Sequence, residues 1–265
     1  MYLLPIRTSQ RRALFAGSLL SILFPSLAVQ AQLGNSPVSI TVNDRTRVDA
    51  WNWFAAPPKN ETYGYVESLL RIGLAQRIRN WDWALELSQP AVLGLPNNAV
   101  SAVTAQGQLG LGGTYYASNG NNTEPAAAFF KQGYARYHWG GSNLRLGRFE
   151  FFDGMETKPK NPTIAWLQGN RIANRLLSNF AFTNAQRSFD GVDGHYVSHS
   201  WDVTGFAARS DQGVFNMNGN PELNVDAQYL AFTQSLFGGH VLWRAFGAGY
   251  HDGRTGITKT DNRAL

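Results

Sequence analysis

The chain has 265 residues, with 23 Lys and Arg against 18 Asp and Glu, 27 Gly, 15% charged and 13% aromatic residues, and no Cys. The lack of Cys excludes disulfide staples, thiolate nucleophiles and Cys-ligated zinc or iron–sulfur sites, and the Gly and aromatic content suits strands and turns more than helices. The basic excess is dispersed along the chain rather than gathered into a stripe, so it is no argument for nucleic-acid binding.

At the N-terminus, Arg7, Arg11 and Arg12 precede an apolar stretch over 13–27 and then Ala28-Val29-Gln30-Ala31. A charged start, an apolar core and a small-residue cleavage site make an export signal. Gly17, Ser18, Ser21, Pro25 and Ser26 interrupt the core, which is too short for a spanning helix of roughly 20 apolar residues. Removing it takes away three cations and leaves 20 Lys and Arg against 18 Asp and Glu, a net +2, on a mature chain beginning at Gln32. The expected division is a signal over 1–31, a periplasmic lead-in over 32–46 and a barrel over 47–265 that is incomplete at its C-terminal end.

Nine strands are predicted, over 47–54, 63–77, 81–88, 126–138, 144–150, 192–198, 201–209, 225–236 and 241–251. Short links at 78–80, 140–143, 199–200 and 237–240 alternate with longer ones at 55–62, 89–125, 151–185 and 210–224. A sheet that turns tightly at one end and loosely at the other has the layout of an outer-membrane barrel. The fold class expected is therefore all-β, an antiparallel up-and-down transmembrane β-barrel.

Side-chain parity agrees. Trp81, Trp83, Leu85 and Leu87 step by two, with Asp82, Ala84 and Glu86 between them; Val66, Leu70, Ile72 and Leu74 oppose Glu67, Arg71 and Arg77; Trp201, Val203, Gly205 and Ala207 oppose Asp202 and Thr204; Val241, Trp243 and Ala245 oppose Arg244. One face is oily and the other charged. In a soluble sandwich the oily face would meet a second sheet, and in a barrel it meets lipid. Period alone does not separate the two. Trp51, Trp53, Tyr63, Tyr65, Trp81, Tyr137, Trp139 and Tyr250 near strand ends favour the membrane, because amphipathic rings prefer its interface with water. Nine strands leave an open edge, and unpaired backbone in lipid costs several kcal/mol per group, so the chain reads as the N-terminal part of a larger barrel.

Three blocks resemble the alginate export family of outer-membrane porins. They are Leu144-Arg145-Leu146-Gly147-Arg148-Phe149-Glu150-Phe151-Phe152-Asp153-Gly154, Asn170-Arg171-Ile172-Ala173-Asn174-Arg175-Leu176-Leu177 and Gln186-Arg187-Ser188-Phe189-Asp190-Gly191-Val192. The resemblance, clearest over 126–251, implies a barrel of about 18 strands whose Arg-rich lumen, with some acidic residues, passes an anionic polysaccharide outward. The chain would supply about half of such a barrel, and nothing in it distinguishes alginate from another polymer or a small solute. Implied partners are anionic polysaccharide or small anionic solutes, outer-membrane lipid and periplasmic export proteins, in the outer membrane of a Gram-negative-type bacterium. No cofactor, metal, nucleic acid or catalytic group is expected.

The pore-lining set drawn from parity and from these blocks is Arg71, Asp82, Glu86, Arg145, Arg148, Glu150, Arg171, Arg175, Arg187, Asp190 and Arg244. Arg171 and Arg175, four apart, would share one face of a short helix folded into the lumen, or else lie in a solvated outer loop with Lys158 and Lys160. Arg148 conflicts in parity with Arg145. Either Gly147 marks a bulge that turns Arg148 inward or Arg148 sits near the rim, since a charge facing lipid at mid-depth costs roughly 2–4 kcal/mol.

Other constellations are weaker. His138, His195, His199, His240 and His251 are scattered over strand ends and turns, and Ser188, Asp190 and His195 could be drawn as a hydrolase triad. Asp190, Asp193 and the Asn216, Asn218, Asn220 run lack the spacing of a calcium loop. The alternatives to a channel are a lipase-like barrel enzyme and an adhesin barrel with partner-binding loops.

Overall fold

The computed structural model describes residues 20–23, 27–32, 37–52, 62–99, 110–157 and 159–255, the first two segments by their backbone course alone. Trp53, Asn60, Glu61, Lys158 and the tail 256–265 lie outside the described residues.

Two short strands, β1 (Leu20–Leu23) and β2 (Leu27–Gln32), precede nine longer ones: β3 (Val38–Asn52), β4 (Thr62–Ile78), β5 (Trp81–Leu93), β6 (Phe129–Trp139), β7 (Ser142–Phe149), β8 (Phe189–Val197), β9 (Trp201–Asp211), β10 (Glu222–Leu236) and β11 (Val241–Asp252). The nine form one antiparallel up-and-down sheet in which each pairs with the next in sequence. The sheet is not closed. Among the described residues the free edge of β11 has no strand partner, and β1 and β2 pair along the outer edge of β3, Leu23 opposite Arg47 and Gln32 opposite Ser39. These two short strands fall in the expected signal and its boundary; loss of 1–31 would leave that edge of β3 open.

The tight and loose links alternate as expected. The tight hairpins are two residues at Arg79–Asn80 and at Gly140–Gly141, where Gly140 has φ +57, the left-handed conformation that a tight hairpin demands and Gly adopts without strain. β3 begins at Val38, earlier than expected, because Val38, Ile40 and Val42 already alternate with Ser39, Thr41 and Asn43, and the segment read as a lead-in is largely strand.

The described parts of the β5–β6, β7–β8 and β9–β10 links fold back over the inward face of the sheet. A helix, α1 (Leu111–Ser118), lies in the β5–β6 link, and a second, α2 (Pro162–Leu167), runs into a π-helical turn at Gln168–Ile172 in the β7–β8 link. Tyr65, Val92 and Leu95 of the sheet and its edge pack with Tyr115 of α1 and with Val214, Phe215 and Met217 of the β9–β10 link. Phe149, Phe189, Phe206, Ala227, Tyr229 and Ala231 pack with Phe151 and Leu177 of the β7–β8 link. Among the described residues no helix is long and apolar enough to cross a membrane, which says nothing of crossing by strands.

The outward face is largely apolar and ends in aromatic side chains. Ile72, Leu85, Leu87, Leu144, Leu146 and Leu230 are exposed on it. Near the tight turns Trp81, Tyr137 and Trp139 stack in sequence, and Tyr196, Trp201, Phe232 and Trp243 form a second run with ring centroids 5.3–5.7 Å apart. Towards the loops the apolar surface ends in a row of paired charges. Arg148 binds Asp190, which lies opposite Arg209, which binds Asp226, which lies opposite His251. From Arg209 to Trp201 is eight residues, about 27 Å along the strand, or about 20 Å in height for a strand tilted by about 45°. Asp44 and Gln228 interrupt the apolar surface between or beside these borders.

Candidate functional site

The inward face is where chemistry accumulates. Parity along the strands, together with a register shift that turns Lys131 of β6 inward, brings Arg45, Arg47 and Asp49 of β3, Glu67 and Arg71 of β4, Asp82 and Glu86 of β5, Lys131, Arg136 and His138 of β6, Arg145 of β7, Asp193 and His195 of β8, Asp202 of β9 and Arg244 of β11 to one side. Most are paired. Arg71 is the hub, donating from Nε to Glu86 Oε1 at 2.7 Å, from Nη2 to Glu150 Oε2 at 2.9 Å and from Nη1 to the amide oxygen of Gln186 at 3.1 Å. Lys131, fully buried, sits 3.6 Å from Glu150. Arg145 grips Asp193 with two bonds at 2.8 and 2.9 Å and lies over the Phe149 ring. Arg47 bridges Asp49 and Glu67, His138 and Arg136 share Asp82, and Arg244 binds Glu156 at 2.6 Å. Glu156 lies in the β7–β8 link, where burial holds its pKa above the ordinary value despite Arg244.

Between this network and residues 150–156 is a cavity of about 330 Å³, lined in part by Arg136, Arg145, Glu150, Glu156, Asp193 and His195. Its walls carry both signs of charge. Among the described residues no group of three His, Cys, Asp or Glu is placed to hold a metal ion.

Of the expected pore-lining residues, Arg71, Asp82, Glu86, Arg145, Glu150 and Arg244 share this inward face. Arg187 is buried in the link just before β8, between the rings of Phe180 and Phe189, and donates to the Ser178 carbonyl. It makes no ion pair among the described residues, and burial lowers its pKa to about 10 while Tyr250 and Asp211 act in the opposite sense.

Arg148 and Asp190 are on the outward face. Neither ladder of β7 shifts register at Gly147, so there is no bulge to turn Arg148 inward. Its position by the loops supplies the other solution: a two-bond pair with Asp190 and further donation to the carbonyls of Phe130, Gly219 and Asn220, which satisfies the guanidinium without the lumen. Arg171 and Arg175 are both exposed and do not share a helical face. The helical segment ends at Ile172 because Ala173 is extended, and the Asp153 carboxylate draws the chain away by accepting from the amides of Leu176 and Leu177. Arg171 lies over Trp166 instead.

The drawn triad is not assembled. The Ser188 hydroxyl is buried and donates to the Lys131 carbonyl, and Asp190 and His195 project from opposite faces of β8. Sequence reasoning missed Lys131, which reaches the inward face through a register shift between Glu86 and Leu87. It also missed Arg45, whose parity was legible once β3 is started at Val38.

The first and third motif blocks prove to be neighbours. Gly147 lies opposite Gly191, Arg148 opposite Asp190 and Phe149 opposite Phe189, so Gly-Arg-Phe and Phe-Asp-Gly are antiparallel partners. No family model, curated protein or solved structure matches the chain. The likeness to alginate export porins therefore rests on the motif residues alone.

Proposed function

We propose that this sheet is part of the wall of an outer-membrane channel, exported by the signal over 1–31, with anionic polysaccharide or smaller anionic solutes as its cargo. The observation that carries the reading is the division of one meander into two faces: an outward one of exposed aliphatic side chains bordered by stacked aromatics and by a row of paired charges, and an inward one of charged side chains. A solvated sheet gains nothing from an aliphatic outer band about 20 Å high, whereas lipid requires one.

Because most inward guanidinium groups are matched to carboxylates, the preference for anions falls to Arg45, Arg77 and Arg187, which make no ion pair among the described residues. The expected preference is modest, and it grows at low salt as screening falls. In planar bilayers the complete barrel that contains this sheet should give unitary current steps with a reversal potential displaced towards that of the anion; a complete protein that never inserts, or steps with cation preference, would remove the reading.

The lipid contact has its own test. Brominated lipid should strongly quench the emission of Trp81, Trp139, Trp201 and Trp243, which project outward near the tight turns. Emission unaffected by bromination would assign the oily face to a protein partner instead.

A further inference from the structure

Residues 178–188, the last part of the β7–β8 link, reach across the inward side of the sheet to its far edge. The distance is considerable: from β8 to β3 there are five strand spacings, about 24 Å. Along the way the segment is tied to the sheet by side chains from several strands. Asn179 donates to Glu150 and Gln186 accepts from Arg71, while Asn184 donates to the carbonyls of Ser68 and Ala91, each at 3.0 Å. At the far end Arg47 donates to the Phe182 carbonyl at 2.8 Å and Arg45 to those of Thr183 at 3.2 Å and Ala181 at 3.5 Å. From above, the Tyr115 hydroxyl of α1 accepts from the Asn184 amide.

The backbone of the crossing is held in costly conformations. Phe180 and Gln186 have φ of +55 and +63, and Asn174 just before them +62. Left-handed residues other than Gly persist where the surroundings over-determine them, and an aromatic residue is an unusual occupant. A strained segment with this many anchors is built to stay in one place. Yet its tip is not buried: Phe182 is 57% exposed, with Ala181 exposed beside it, while Thr183 and Asn184 are fully covered.

We propose that 178–188 is the constriction of the channel, a strap laid across the inward face with Phe182 at its tip lining the passage and Arg45 and Arg47 as its far anchor. This rests on the channel reading above. The strap narrows the space beside it and sets which solutes pass, and its one uncompensated anchor, Arg45, presents a cation at the narrowest point.

The chain has no Cys, so a thiol introduced in it is unique within this sheet and its links. In planar bilayers, Phe182→Cys in the complete barrel, treated with the anionic thiol reagent sulfonatoethyl methanethiosulfonate, should lose about half of its unitary conductance, since added bulk and charge act most strongly at a constriction. Leu176→Cys, exposed on the same link, should lose about a tenth or less under the same treatment. Ala181→Cys serves as a second tip position should Phe182→Cys fail to insert. Unchanged current at a tip thiol shown by mass to be modified would overturn the strap assignment, as would an equal loss at Leu176. The two levels are distinguishable: an unmodified protein without channels defeats the channel reading itself, whereas open channels indifferent to tip modification defeat the strap alone.

Discussion

Gly147→Ala should sharply lower the yield of folded protein. Gly147 has φ +127, a conformation that side-chain-bearing residues rarely adopt, and a Cβ there would run into the carbonyl oxygen of Gly133 and come within 2.9 Å of Tyr134 Cα. Both obstacles are backbone of β6, paired on its other side to β5, so neither can retreat without breaking a ladder. Conformational strain and overpacking each cost about 1–3 kcal/mol, and together they consume a large part of a net stability of roughly 5–15 kcal/mol. Gly205→Ala, in open space on β9, is the matched control and should fold normally. The readout is the shift in electrophoretic mobility on heating together with resistance to protease. Wild-type levels of folded Gly147→Ala would mean that the backbone at this position is not the one described.

The second large effect concerns the buried ion network. Glu150→Ala should destabilise the protein by about 3–5 kcal/mol, because it strips buried Lys131 of the one carboxylate within ion-pair distance among the described residues and Arg71 of one of two. Lys131→Met, which removes the charge and keeps the volume, should cost far less, about 1 kcal/mol or below, even though both changes delete the same contact. Denaturant unfolding monitored by Trp emission separates them. Equal losses in the two variants would show that the contact, rather than the stranded charge, is what matters.

What could be read from the sequence followed the reach of its signals. The alternation in Trp81–Leu87 and in Trp201–Ala207 reported two-faced strands, and the structure has them with the assigned faces. The same alternation assigned Arg148 to the outward face; the parity was right, and the doubt came from the cost of a lone charge there. Its partner Asp190 is 42 residues away, beyond any local pattern. Arg171 and Arg175 show the opposite failure, since a helical spacing was extended across Ala173, where tertiary bonds from Asp153 end the helix. The ion pairs that neutralise Arg71, Arg145 and Arg244 were equally out of reach, and with them the balance of charge on the inward face.

The pairing of Gly-Arg-Phe with Phe-Asp-Gly bears on how the sheet assembles. Phe149 and Phe189 meet across a link of 39 residues, whereas β6 and β7 meet across two. Closing the longer loop costs roughly 2–3 kcal/mol more in chain entropy, so the hairpins β6–β7 and β8–β9 should form first and dock afterwards. Nothing in so long a link dictates how they align. A slip by one residue would bring Phe149 opposite Asp190 and separate Arg148 from the one carboxylate it pairs with among the described residues. The tripeptides thus act as a keyed joint between two preformed hairpins of the sheet, and the 39 residues they enclose are drawn across its inward face as that joint closes.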